Sequence, residues 1–143
     1  KYLNSPETML FDKSRNLYGL NYARTSRKKY MMLCEGYMDV ISMHQAGYTN
    51  AVASLGTALT EQHAALLKRY TDQVILTYDS DGAGVKAALR AIPILKRAGI
   101  STKVLNMFKM ECNTQFVSRN KQKQFNIKLS LINCKEKTVI VQP

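Results

Sequence analysis

The stretch that decides the fold is residues 74–84, Val74-Ile75-Leu76-Thr77-Tyr78-Asp79-Ser80-Asp81-Gly82-Ala83-Gly84. A short apolar run ends in two aspartates and two glycines, and a segment with helical character follows from Val85 to Lys96. Short apolar runs that are bounded by turn residues are typical of buried strands. The stretch therefore predicts a strand, a turn and a helix. Both carboxylates follow the strand, at the edge where open α/β sheets bind ligands.

Asp79 and Asp81 allow two interpretations. Residues two apart on an extended backbone point to the same face. Two carboxylates beside glycines, which let a ligand approach the backbone, indicate a Mg²⁺ site that handles phosphate. In the alternative interpretation, Asp81 caps the following helix and Asp79 lies in the turn. Short motifs often match by chance, so the motif alone leaves both interpretations open.

Composition narrows the partners. The 143 residues are enough for one domain, and 21 Lys and Arg against 10 Asp and Glu give a net charge of +11. This excess favours a polyanionic partner, nucleic acid before membrane, because no apolar run is long enough to span a bilayer.

Three cysteines without a Cys-x-x-Cys pair, and two histidines, give no reason to expect zinc. Free thiols and the lack of a signal peptide indicate a cytoplasmic protein. A chain that begins with Lys1 rather than Met suggests that the start of its parent is missing.

Short apolar runs and helical patterns alternate from residue 30 to residue 107. Further strands are predicted at 31–34, 51–54 and 102–107. Helices are predicted at 17–23, at 37–46, from residue 60, where Thr60 is the cap, and from 85 to about 97. Pro93 is predicted to kink or break the last of these helices. Such alternation gives an α/β fold, with a parallel sheet of about four strands and helices on its faces. Every strand-to-helix turn then lies at the same edge. Glu35, residues 54–57 and the two aspartates are therefore expected to converge there.

Two charged clusters follow from this arrangement. Three carboxylates at one edge would repel and raise each other's pKa, so a divalent cation is the economical explanation for them. A second, basic cluster, comprising Arg24, Arg27, Lys28 and Lys29, follows the predicted helix at 17–23. A solvated surface and a binding patch both explain this cluster.

Cys34-Glu35-Gly36 and Asp79-Ser80-Asp81-Gly82, each at a strand end, resemble the TOPRIM domain of primases, topoisomerases and some nucleases. Flanking segments narrow the resemblance to the RNA-polymerase core of bacterial DnaG-type primases: residues 1–8, 11–13, 17–19, 35–40 and 51–57. It covers residues 1 to about 107 almost continuously. The resemblance implies a Rossmann-like TOPRIM sheet at 30–107, preceded at 1–29 by the last part of the N-terminal subdomain of the primase core.

The resemblance implies metal-dependent, DNA-templated synthesis of short RNA primers. By this resemblance, Glu35, Asp79 and Asp81 are the catalytic acids that bind Mg²⁺ or Mn²⁺. Lys1, Lys13 and Arg15 contact the nucleotide or nucleic acid. Gly36 and Gly82 bind ligand beside the acids. Glu35 has an alternative role as general acid or base, and the three cations could form a solvated surface. The implied partners are a single-stranded DNA template, ribonucleoside triphosphates and the RNA primer. The replicative helicase would bind through a domain absent from these residues, in the bacterial cytoplasm.

Residues 108–143 depart from the primase pattern. The last aspartate of the chain is Asp81, so the third acidic motif of these primases, Asp-Pro-Asp, is missing. The abrupt change in composition indicates out-of-frame translation or a foreign terminus, with a basic nucleic-acid-binding arm as the alternative. Alternating apolar residues predict strands at 125–131 and 138–141. The departure leaves two alternatives to a primase: another TOPRIM enzyme, such as a nuclease or topoisomerase, and a non-catalytic module that binds metal and nucleic acid.

Overall fold

The structure, a computed structural model, describes residues 6–9, 11–105 and, for the backbone alone, 131–133. Strands and helices alternate along most of these residues. In chain order they are β1 (Leu17–Tyr18), α1 (Leu20–Ala23), β2 (Met31–Cys34), α2 (Tyr37–Gln45), β3 (Ala51–Ser54), α3 (Glu61–Lys68), β4 (Gln73–Thr77), α4 (Gly82–Arg97), β5 (Ser101–Leu105) and β6 (Leu131–Asn133).

The strands form one sheet in the order β1-β3-β2-β4-β5-β6. The four central strands, β2 to β5, are parallel to one another, which confirms the predicted parallel sheet. Two antiparallel strands, β1 and β6, extend the sheet at its edges. The strand predicted at 138–141 lies outside the described residues, as does the predicted strand at 125–131 apart from Leu131, where β6 begins.

The helix predicted at 17–23 is wrong in its first part. Leu17 and Tyr18 form β1 and pair with Ser54 and Ala53, and only four residues after Gly19 are helical. Gly19 has a φ of 79°, in the left-handed region that glycine adopts at least cost, and this ends the strand and turns the chain into α1. A two-residue strand has too little periodicity to be seen in a sequence.

Helices cover both faces of the sheet. On one face, α3 and α4 contribute Leu67 and Leu95 to a core that contains Leu33, Val52 and Leu76. On the other face, α2 packs Val40 and Met43 against Met32, Ala53 and Ile75. Alternating strand residues enter alternate cores, as the two-residue period of a strand requires. The result is the layered, Rossmann-like arrangement expected from the sequence.

The helix after the two aspartates begins at Gly82, earlier than predicted, and runs without interruption to Arg97. Pro93 lies within it, so of the predicted kink or break the break is absent. Proline removes one hydrogen bond from a helix. Because Pro93 and Leu89, four residues before it, are both exposed, water can satisfy the carbonyl that loses its partner.

Candidate functional site

The strand register places the predicted acids at one edge of the sheet. Cys34, the last residue of β2, lies opposite Thr77 of β4 on one side and Ala53 of β3 on the other. Glu35, Ser54 and Tyr78 therefore leave the sheet side by side, and Asp79 and Asp81 follow in the turn to α4. This is the carboxyl edge of the four parallel strands, where the sequence predicted a ligand site.

Asp81 is the N-cap of α4. Its Oδ1 accepts a hydrogen bond of 2.7 Å from the backbone N–H of Gly84. A carboxylate in this position satisfies one of the unpaired donors in the first turn and interacts favourably with the helix dipole. The capping role that the sequence left open is therefore present, and it leaves Oδ2 of Asp81 for another ligand.

The pKa of Glu35 reflects the other charges at this edge. Partial burial raises the pKa of its carboxyl group, and the negative charges of Asp79, Asp81 and Asp39 raise that pKa further. A hydrogen bond from the backbone of Asp79 acts in the opposite direction. Asp79 and Asp81 are thus near enough to Glu35 to act on its carboxyl group electrostatically.

The predicted three-carboxylate chelate is not assembled in the structure. Among the described residues, no group of three or more His, Cys, Asp or Glu side chains is close enough to hold a metal ion. Asp81 instead turns its Oδ1 towards the N-terminus of α4, where it accepts from Gly84. The donors that the edge offers are carboxylate oxygens, the ligands that Mg²⁺ and Mn²⁺ prefer. The neighbouring Cys34 is buried, and burial raises the pKa of its thiol to about 11, so it does not offer a thiolate.

Gly84 is the glycine that the packing of this turn requires, while the predicted role of Gly82 in ligand binding stays a prediction. A Cβ atom on Gly84 would lie 2.1 Å from the carbonyl oxygen of Asp79, whereas one on Gly82 would meet nothing within 4 Å. Gly36 is the N-cap of α2, and its N–H donates to the carboxylate of Asp39 at 2.9 Å. The absence of a side chain at Gly84 lets the turn that carries both aspartates close tightly onto α4.

A cleft of about 320 Å³ opens beside Glu35. Its walls come from the β3–α3 loop, from Tyr78 and from one face of α4, and its lining includes Ser54, Thr57, Leu59, Ala87, Arg90 and Ala91. The hydroxyl of Thr57 is buried and has no hydrogen-bond partner among the described residues. Sequence reasoning missed Arg90, whose only signal was its position beside Ala87 and Ala91 on the small-residue face of α4. The cleft combines an apolar wall with a cation, a carboxylate and an unsatisfied hydroxyl.

Lys13 and Arg15 lie at the same edge as the acids. They precede β1, whose first residue, Leu17, is opposite Ser54 at the carboxyl end of β3. Asp12 shapes their loop by accepting hydrogen bonds from the backbone N–H and the hydroxyl of Ser14, at 2.8 and 2.6 Å. The Nε atom of Arg15 lies 3.7 Å from Oδ2 of Asp12. Lys1, the third predicted cation, lies outside the described residues.

The basic cluster lies elsewhere. Arg24, Arg27, Lys28 and Lys29 are all exposed, and none forms an ion pair with any described residue. The backbone carbonyl of Lys29 accepts from the hydroxyl of Thr71, just before β4, and β2 begins at Met31. The cluster therefore lies near the amino ends of the strands, at the opposite edge from the acids.

Comparison with known proteins connects this site to a family. A Toprim-like family model matches residues 32–116, and a model for the N-terminal domain of the DNA primase catalytic core matches residues 1–24. The DNA primase of Clostridium acetobutylicum is 48% identical over 126 residues, which are 87% of this chain and 21% of the relative. The DNA primase of Campylobacter jejuni is 53% identical over 106 residues, 73% of this chain and 18% of the relative. The chain thus spans about a fifth of the length of these relatives.

Solved structures agree in fold. The Aquifex aeolicus primase, comprising its zinc-binding and RNA polymerase domains, superposes with a TM-score of 0.72 and 40% identity, covering 77% of this chain and 28% of that one. A DnaG primase catalytic domain bound to single-stranded DNA gives a TM-score of 0.71 and 42% identity, covering 78% and 37%. No helix among the described residues is long and apolar enough to cross a membrane. The family-model match, together with the parallel sheet and the acids at its carboxyl edge, shows that the chain belongs to the Toprim-like family, in the form found in DnaG-type DNA primases.

Proposed function

We propose that this chain provides the acidic, metal-binding part of the active site of a bacterial DNA primase. The intact protein would copy a single-stranded DNA template into a short RNA primer from ribonucleoside triphosphates. The observation that carries the proposal is the convergence of Glu35, Asp79 and Asp81 at the carboxyl edge of a Toprim-like sheet, where partial burial and then the charges of the two aspartates raise the pKa of Glu35.

Glu35, Asp79 and Oδ2 of Asp81 would hold one or more divalent cations, Mg²⁺ or Mn²⁺. Such ions neutralise charge on phosphate oxygens and orient the attacking hydroxyl during phosphoryl transfer. The fit rests on the all-oxygen donor set and on the mutual repulsion of the acids, which a bound cation would relieve. The raised pKa of Glu35 also supports its alternative role as a general acid or base.

The remaining residues at this edge would bind and orient the nucleotide and the template. The cleft beside Glu35 offers Arg90 for a phosphate and the unpartnered hydroxyl of Thr57 for a hydrogen bond. Lys13 and Arg15 supply two further cations at the same edge, and Lys1 is proposed to join them. Gly84 keeps the turn that presents both aspartates compact.

The proposal places the parent protein in the bacterial cytoplasm, with a replicative helicase among its partners. The metal-dependent reaction belongs to the parent, because the chain spans only about a fifth of its curated relatives. Residues 108–143 bear on whether this form is active. A frameshift origin for them stays a prediction. The Clostridium match covers 87% of the chain, whereas the 107 residues before the tail are about 75% of it (107 of 143), so the match extends into the tail.

The test is template-dependent incorporation of ribonucleotides by a primase core that contains this chain. Asp79→Asn and Glu35→Gln should each lower metal-dependent synthesis by about 100-fold or more, since metal-bound charge stabilisation contributes several kcal/mol. Asp72→Asn is the matched control, because Asp72 is exposed and pairs with Lys68 at the opposite edge. Full synthesis by Asp79→Asn would refute the site. Loss of synthesis by the unsubstituted core, with DNA binding retained, would favour the non-catalytic alternative.

A further inference from the structure

His63, the histidine of α3, lies outside the proposed site but makes contacts that bear on it. His63 is fully buried although it lies in the first turn of a helix and carries a polar ring. Its ring makes hydrogen bonds to residues about 50 positions earlier in the chain, in the loop that carries Lys13 and Arg15. A buried polar ring with long-range partners indicates a fixed structural connection.

The partners of His63 fix its tautomer. The backbone N–H of Thr60 donates to Nδ1 at 3.2 Å, so Nδ1 carries no proton. The carbonyl oxygens of Lys13 and Asn16 lie 2.7 and 3.1 Å from Nε2, and carbonyls only accept, so Nε2 donates to both. The ring is therefore neutral and has a partner at each nitrogen.

Thr60 completes the connection. Its hydroxyl donates to the carbonyl of Ser14 at 2.8 Å and accepts from the backbone N–H of His63 at 3.1 Å. Three backbone carbonyls of the loop, those of Lys13, Ser14 and Asn16, are thus bonded to residues at the N-terminus of α3. The start of α3 lies at the carboxyl edge, because α3 directly follows the loop that lines the cleft. The attachment therefore holds Lys13 and Arg15 at that edge.

We propose that His63 is a positioning residue: with Thr60 it latches the 12–16 loop to α3 and so holds Lys13 and Arg15 at the acidic edge for contact with single-stranded nucleic acid. The functional part of this inference rests on the proposed function, but the latch itself does not. Burial also lowers the pKa of His63, more than the hydrogen bonds to Lys13 and Asn16 and the charge of Asp12 raise it, and this favours the neutral ring that the latch uses.

The latch can be tested directly with trypsin, which cleaves after Lys13 and Arg15. In the 143-residue chain, His63→Asn should speed cleavage at these two bonds by about tenfold, because the asparagine side chain is too short to reach the loop carbonyls. His63→Gln, whose amide nitrogen can replace Nε2 as a donor, should restore most of the protection. Cleavage after Lys86, within α4, reports any general loss of structure and should not change.

His44→Asn is the matched control. His44 also bonds a backbone carbonyl through Nε2, that of Ala51 at 2.9 Å, but it does not contact the 12–16 loop. Cleavage after Lys13 and Arg15 should be unchanged in this variant. If His63→Asn does not fold, Thr60→Ala removes the bond to Ser14 and the cap on the His63 N–H while keeping the imidazole ring, with Thr60→Ser as its control.

Binding to a single-stranded oligonucleotide then tests the positioning role. His63→Asn should weaken binding several-fold in the unsubstituted chain and should add nothing further once Lys13→Gln and Arg15→Gln are present, because the two changes remove the same contact. Unchanged cleavage in His63→Asn would overturn the latch. Faster cleavage with undiminished affinity would overturn the positioning role. The cleavage and binding assays do not measure primer synthesis. A failure of the proposed function, seen as full synthesis by Asp79→Asn, would therefore be recognised separately from a failure of the latch.

Discussion

Gly84 lies where the chain turns from β4 into α4, and the turn leaves no room for a larger residue. A Cβ atom there would lie 2.1 Å from the carbonyl oxygen of Asp79 and 3.0 Å from its nitrogen, both backbone atoms that cannot move aside alone. We expect Gly84→Ala to lower the free energy of unfolding by about 2 kcal/mol, the usual cost of overpacking a tight site. Urea unfolding followed by circular dichroism measures this change.

Gly82→Ala provides the comparison two residues earlier. A Cβ at Gly82 would meet nothing within 4 Å, and alanine is the better helix former, so this variant should be as stable as the parent or more stable by up to about 1 kcal/mol. Equal losses in the two variants would show that steric contact with Asp79 is not what requires glycine.

At the scale of an element, the start of α3 makes stability depend on pH. Burial holds the pKa of His63 below its ordinary value in the folded chain. In the unfolded chain the ring has its usual pKa of about 6.5, so the unfolded state binds more protons at and just below that pH. The contribution of His63 to the free energy of unfolding is therefore complete above about pH 6.5. It is lost as the pH falls through the lower pKa of the folded state.

Urea unfolding at pH 7.5, 6.5 and 5.5 measures this dependence. The unsubstituted chain should lose stability between pH 7.5 and 5.5, and His63→Gln should lose less, since glutamine does not titrate. The comparison between the two proteins removes the opposing effect of Glu35, whose raised pKa adds stability as the pH falls. Parallel pH profiles for both proteins would contradict the assignment to His63.

How much of each element the sequence could predict depends on how far away its partners lie. The four parallel strands and the cap at Thr60 follow from local patterns, and the sequence predicted them. Leu17 and Tyr18 form a strand only because β3, more than 30 residues later, offers an edge. The bonds of His63 join residues 47 and 50 positions apart, so no local pattern revealed them. At Asp81, residue type indicated two roles, and only the position of the Gly84 N–H showed that capping is one of them.

At the scale of the whole molecule, the positive charge of residues 13–34 is divided between the two edges of the sheet. Residues 13–34 contain six cations and no acid. Two of them, Lys13 and Arg15, lie at the carboxyl edge beside the acids, and the other four form the basic cluster near the amino edge. Both groups raise the long-range attraction for a polyanion, but only one lies beside the proposed catalytic site.

Two double variants of equal charge separate these contributions. Lys13→Gln with Arg15→Gln, and Lys28→Gln with Lys29→Gln, each lower the net charge from +11 to +9. Because long-range steering depends on overall charge, both should slow association with a single-stranded oligonucleotide to a similar degree. Only the first should also speed dissociation, by several-fold, since contacts within a complex act mainly on the off-rate. Stopped-flow fluorescence at two salt concentrations gives both rates. Faster dissociation in the second variant alone would place the nucleic acid across the amino edge, away from Glu35, Asp79 and Asp81, and would contradict a shared site for acids and template.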